Sequence, residues 1–230
     1  MRVSAVVPAY EASRTIGGLV ENLHAVWPAG GEILVVDDGS VDDTARAARA
    51  AGACVLRHAR NRGKGAALRT GLAGARYRGA THAVTLDADG QHPSREAARL
   101  AVLDVPENAL VLGVRDLAAA GAPQANQRSN GISNYWLSGF TGLTLRDTQC
   151  GLRRYPIDAT LALGGQAVGF GYEAEIVLRA AFAGLALVQV PVLTYYPPEL
   201  ARHSHFHVVR DPAKIVARVL ATLVFAPRKG

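Results

Sequence analysis

A rhythm constrains this chain more than any single motif. Five short apolar runs, at residues 3–7, 33–36, 53–56, 83–86 and 110–114, alternate with alanine- and leucine-bearing stretches of helical periodicity. Runs of four or five such residues are too short for helices and suit buried strands. Strands alternating with helices predict an α/β, Rossmann-like fold: one domain, a mostly parallel sheet with right-handed crossovers, and helices on both faces. In such sheets ligands bind beyond the carboxyl ends of the strands. The polar clusters fall there: residues 8–11, 37–40, 61–65, 87–92 and 115 each follow a strand or open a helix.

Local signals add detail. Pro8 is expected to close the first strand, and Ser13 to cap a helix over 14–26 that buries Ile16, Leu19, Val20 and Leu23. A second helix begins at Asp42 or Asp43 and stops near Gly52, and a third runs from the 60–65 loop to about 77. Beyond Gly121 the rhythm loosens. A helix is expected over 124–140, a strand or loop over 147–155, a helix over 176–183 and a strand over 185–190 that Pro191 ends. Residues 1–210 would form the domain, with a nucleotide half to about 115 and an acceptor half from 116. Residues 211–230 would add an amphipathic helix and a basic tail.

The stretch Val84-Thr85-Leu86-Asp87-Ala88-Asp89-Gly90-Gln91-His92-Pro93 carries the chemistry. An extended backbone places Asp87 and Asp89 on one side, where two carboxylates repel unless a positive charge sits between them. A hard divalent cation, Mg²⁺ or Mn²⁺, suits them and shares its shell with phosphate oxygens. Gln91 would add a neutral oxygen, and His92 a nitrogen. The same letters also make an ordinary turn. No dinucleotide fingerprint follows the first strand, and Gly63-Lys64-Gly65 lacks the spacing of a P-loop. Those glycines still open a helix, whose N–H groups can meet an anion. Arg115 and Arg128 can grip a phosphate or make ordinary ion pairs.

Net charge +6 favours an anionic partner. Aromatics interleaved with basic residues are absent, which argues against nucleic acid. Cys54 and Cys150 form neither a disulfide framework nor a metal cluster, which points to a reducing cytoplasm. No signal peptide is visible, and no apolar run reaches the roughly 20 residues of a membrane span. His203, His205 and His207 alternate, yet Ser204, Phe206 and the lack of nearby cysteine favour a polar loop over a zinc site.

Four motifs stand in order: Val6-Val7-Pro8-Ala9-Tyr10, Val35-Val36-Asp37-Asp38-Gly39-Ser40, Asn61-Arg62-Gly63-Lys64-Gly65 and Leu86-Asp87-Ala88-Asp89-Gly90-Gln91-His92-Pro93. With Asp147-Thr148-Gln149-Cys150-Gly151 and Tyr172-Glu173-Ala174-Glu175, they resemble family 2 glycosyltransferases of the GT-A fold, in the dolichol-phosphate mannosyltransferase branch. The resemblance implies that Pro8, Tyr10, Asp38, Gly63 and Lys64 hold a nucleoside-diphosphate sugar. Asp87, Asp89 and Gln91 would ligate the cation. Arg115 and Arg128 would face a lipid-phosphate acceptor, and Arg202 would approach the donor diphosphate. Glu11 stands where the family has Asn and would contact the donor in its place. A hydroxyl acceptor would require a base, for which Asp147 and then Glu173 are candidates; a phosphate would need none. Peripheral contact with the inner face of the membrane is expected, the last helix being one route. A nucleotidyltransferase and a silent nucleotide-binding module are the rival readings.

Overall fold

The computed structural model describes residues 1–169 and 171–196. Seven strands form one sheet: β1 (Val3–Ala9), β2 (Ile33–Asp37), β3 (Cys54–Arg57), β4 (His82–Thr85), β5 (Leu110–Arg115), β6 (Arg153–Pro156) and β7 (Leu187–Val192). The helices are α1 (Ile16–Val26), α2 (Thr44–Ala50), α3 (Lys64–Tyr77), α4 (Ser94–Ala101), α5 (Gln124–Thr141), α6 (Ile157–Ala162) and α7 (Gly171–Phe182). The order is β3-β2-β1-β4-β6-β5-β7. β6 runs antiparallel to β4 and β5, and the other pairings are parallel.

From β1 the chain builds outward to β3, then returns to lay β4 on the other side of β1. That reversal opens a crevice beyond the ends of β1 and β4. The pleat divides the core. Val3, Ala5, Val7 and Ala9 face a cluster with Ile16, Leu23 and Leu100 of α1 and α4. Val6 faces the opposite cluster, with Leu68, Leu72, Leu137 and Ile176 of α3, α5 and α7.

Several local expectations change. Pro8 does not end β1, which pairs through Ala9 with Asp37. The Ala5 N–H points to the β2 side, donating to Glu32 O, so the nitrogen of Pro8 points the other way. On that side β4 has already stopped, at Thr85 opposite Val6, and the missing donor costs nothing. Pro191 likewise lies inside β7, an edge strand, opposite Val114. Ser13 does not cap α1, which begins at Ile16; its N–H donates instead to Asp42 Oδ2 at 3.1 Å. Two short helices, α4 and α6, add to the expected elements, and α7 begins at Gly171 rather than 176.

β6 is central yet begins with two arginines, both fully buried. Arg153 donates to the carbonyls of Cys150, Thr148 and Glu173 at 2.8, 2.7 and 2.9 Å. On the other face Arg154 Nη1 reaches Leu100 O and Leu103 O at the end of α4, 3.2 and 2.8 Å away. Backbone carbonyls thus solvate charges that a sheet interior would otherwise reject.

Candidate active site

Lys64, the first residue of α3, stands at the centre of the crevice. Its ammonium lies 2.6 Å from Asp87 Oδ1 and 3.1 Å from Glu173 Oε1. Burial works against the Lys64 charge, but the two carboxylates outweigh it and raise its pKa well above the usual value. Burial likewise pushes the Asp87 carboxyl up, but the Lys64 ammonium, with His92 and Arg115, brings it below the ordinary range. Gly151 lies directly beneath, where a Cβ would run into the Asp87 carboxylate.

Asp89 keeps solvent access at the mouth of the crevice. Crowding by the surrounding protein and repulsion from Asp87 push its carboxyl up to about 6. Its Oδ1 accepts the Gln91 N–H at 3.0 Å. The Gln91 carbonyl accepts the Tyr195 N–H at 2.8 Å, tying this loop to the segment after β7. His92 is buried, with Nδ1 3.2 Å from Leu193 O and Nε2 3.8 Å from Cys150 Sγ. Burial pushes the Cys150 thiol up to about 12, so it stays protonated.

Asp38 is buried beside the crevice and does not cap α2. Its Oδ1 meets His58 Nδ1 at 2.6 Å and the Arg62 N–H at 3.0 Å, and its Oδ2 accepts the Gly63 N–H at 2.7 Å. The Gly63 N–H is therefore engaged by protein rather than turned toward an anion, which corrects one sequence expectation. Gly63, at φ 88°, and Gly65 serve close packing: a Cβ on them would meet Val168 O and Ala167 O. Glu175 holds that opposing loop through the Gln166 and Ala167 N–H groups at 2.9 and 2.7 Å. The turn presenting Lys64 is thus clamped from both sides.

Glu11 adopts φ 53°, a left-handed conformation that a β-carbon disfavours and Asn tolerates best. Its Oε1 accepts the Val41 N–H at 2.9 Å, and its N–H donates to Ser40 Oγ at 3.0 Å. Glu11 therefore joins the same rim as the 37–40 turn, with Tyr10 exposed beside it and Pro8 buried within β1.

Arg115 and Asp147 form a second centre at the end of β5. Arg115 gives Nε, Nη2 and its own N–H to the buried Asp147 carboxylate, at 2.7, 3.0 and 3.0 Å. Beside Arg115 opens a cleft of about 930 Å³ that Arg146, Asn130 and Asn134 also line. Asn130 is 5% exposed, and its Oδ1 meets no donor among the described residues. Arg128 lies exposed on α5, with no ion pair among the described residues. Arg202, the three alternating histidines and the amphipathic helix expected within 211–230 lie outside the described residues.

The Lys64–Glu173 pair, His58 behind Asp38 and Gly151 beneath Asp87 escaped the sequence reading. Glu173 in particular is 4% exposed in the first turn of α7. The signal was present: a buried carboxylate stretch needs a cation, and Lys64 opens a helix nearby. Among the described residues no three His, Cys, Asp or Glu side chains converge on one point. Asp87 and Asp89 still suit a cation completed by ligand oxygens: like charges crowd there and one oxygen edge stays open to solvent.

This sheet order, with Asp-Ala-Asp at its switch point, is the GT-A glycosyltransferase architecture. Glucosyl-3-phosphoglycerate synthase from Mycobacterium tuberculosis, solved with Mn²⁺ and UDP-glucose, shares it at a TM-score of 0.70 and 21% identity, over 99% of this chain and 80% of that one. The model of glycosyl transferase family 2 matches residues 4–159. The chain belongs to that family and is a hexosyltransferase. It is 29% identical to undecaprenyl-phosphate mannosyltransferase of Micrococcus luteus, over 87% of this chain and 86% of that protein. It is 32% identical to the uncharacterized protein MJ1222 of Methanocaldococcus jannaschii, over 84% and 82%.

Proposed function

We propose that this enzyme transfers a hexosyl group from a nucleoside-diphosphate sugar to a polyprenyl phosphate, with inversion at the anomeric carbon. The observation that carries the reading is the pairing of two centres on one sheet edge. Lys64 with Asp87 and Asp89 suits a diphosphate, and Arg115 with Asp147 suits an anionic acceptor. The polyprenyl-phosphate relative supports the acceptor class.

Pro8, Tyr10, Glu11 and Asp38 border the nucleoside pocket, and Lys64 draws in the diphosphate. Asp87, Asp89 and Gln91 would hold Mg²⁺ or Mn²⁺ together with diphosphate oxygens; the neighbour crystallised with Mn²⁺ supports this. When bound, the cation neutralises negative charge growing on the leaving diphosphate. Arg115 and Arg128 orient the acceptor phosphate. One of its oxygens attacks the anomeric carbon as the carbon–oxygen bond to the diphosphate breaks. A phosphate oxygen is already ionised, so no base is required. Asp147 is accordingly assigned to orienting Arg115, and Glu173 to holding Lys64. The donor is a sugar nucleotide of the GDP-mannose or UDP-glucose type. The reaction would run at the inner face of the membrane, where cytoplasmic sugar nucleotides meet the lipid.

The test incubates the purified chain with radiolabelled sugar nucleotides, Mn²⁺ and a short polyprenyl phosphate. The expected products are free nucleoside diphosphate and a lipid-linked sugar, both lost in Asp89→Ala. Pyrophosphate release would indicate a nucleotidyltransferase, and tight donor binding without turnover a silent module; either result sinks the proposal.

A further inference from the structure

We propose that the outer face of α5, with the turn after it, is a membrane-contact surface that seats on an anionic bilayer. The surface is read from exposed side chains alone and does not depend on the proposed reaction. The inner face of α5 buries Ser129, Asn130, Ser133 and Leu137. Its outer face presents Ile132, Tyr135 and Trp136, followed by Leu143 in the turn; these are 52, 73, 47 and 43% exposed. Steps of three and four residues place the helical members on one stripe. Tyr135 meets Trp136 edge-on at 5.6 Å, and Trp136 stacks on Phe140 at 5.8 Å, so the aromatics form one ordered plate.

The occupant follows from the chemistry around the plate. Tryptophan and tyrosine settle at the boundary between lipid headgroups and hydrocarbon, where an amphipathic ring meets both. α5 holds no acidic residue, and exposed Arg128 and Arg146 flank the stripe, which complements anionic headgroups. A stable protein partner would need roughly 20–30 residues a side, far more than this stripe supplies. The plate also borders a groove of about 800 Å³ that shares Gly131 and Asn134 with the cleft beside Arg115. A bilayer against α5 would therefore bring headgroups to that cleft.

The two tryptophans make the test direct. Trp27 packs against the core with Nε1 donating to Val3 O at 3.1 Å, whereas Trp136 is exposed. In full-length Trp27→Phe, Trp136 is the sole tryptophan reporter. It is titrated, without nucleotide, with vesicles of phosphatidylcholine alone or mixed with phosphatidylglycerol. Its emission is expected to shift to the blue, more strongly with phosphatidylglycerol, and to be quenched by lipids brominated near the headgroup. Tyr135→Ala/Trp136→Ala in the otherwise natural chain should lower vesicle co-sedimentation at least about tenfold while keeping its circular dichroism and nucleotide affinity. Unshifted emission overturns the proposal, as does undiminished sedimentation of the double variant. A concentration-dependent dimer that buries Trp136 in the absence of vesicles also overturns it, making the face a contact between copies of this chain. The transfer assay reads none of these quantities, so failure here leaves the proposed reaction standing, and the reverse holds too.

Discussion

At the scale of residues, the site is a contest between carboxylates and one ammonium. Lys64 neutralises Asp87 and Glu173, so Lys64→Met removes the ammonium that two crowded acids share. A loss of about 3 kcal/mol is expected, measured by urea unfolding at pH 7. The sign with pH follows from both groups. The raised Lys64 pKa stabilises fully below 10.5 and is lost as pH climbs through the higher folded value. The depressed Asp87 pKa stabilises above 3.8 and is lost as pH falls through the lower folded value. The Lys64→Met deficit should therefore be full between those limits and shrink under acid. Asp89 behaves oppositely to Asp87. Its carboxyl ionises near 6 in the fold against an ordinary 3.8, so its favourable contribution exists below 3.8 and disappears as pH rises through 6. Asp89→Asn should melt higher than the parent at pH 8 without metal and equal to it below pH 4. A lower melting temperature at pH 8 would refute the strain assigned to this carboxylate.

At the scale of elements, the site depends on backbones brought unusually close. Gly151 precedes β6 and leaves room for the Asp87 carboxylate. Gly151→Ala should displace that carboxylate, lowering transfer by about a hundredfold through misplacement of roughly an ångström. Thermal stability should fall by only about 1–3 kcal/mol. Equal loss of folding and activity would instead make Gly151 a purely structural residue. The turn at Glu11 offers a gentler case. Asn relieves the left-handed strain at φ 53° but is one methylene shorter toward the Val41 N–H. Glu11→Asn is thus expected to change stability by less than about 1 kcal/mol while altering the KM for the donor. Unchanged donor KM would remove Glu11 from the proposed nucleotide pocket.

At the scale of the whole molecule, the strand order reverses between β1 and β4, and ligand binding in the crevice there should couple to global stability. A sugar nucleotide with Mn²⁺ at a hundredfold excess over its Kd should add about 2.7 kcal/mol. Calorimetry should show that gain vanish in Asp89→Ala; its persistence there would place the donor elsewhere. The strands, the main helices and the polar ends of β1, β2, β4 and β5 were legible in the chain because each depends on neighbours a few residues apart. Apolar spacing makes a strand or helix locally, and a polar residue after a strand must reach its open end. Hidden were the insertion of β6 between β4 and β5, the burial of Arg153 and Arg154, and the Lys64–Glu173 contact. Residues far apart in sequence meet there only after the sheet closes. A buried charge is tolerated by whichever carbonyls or counterions the packing delivers, and no local pattern records that delivery.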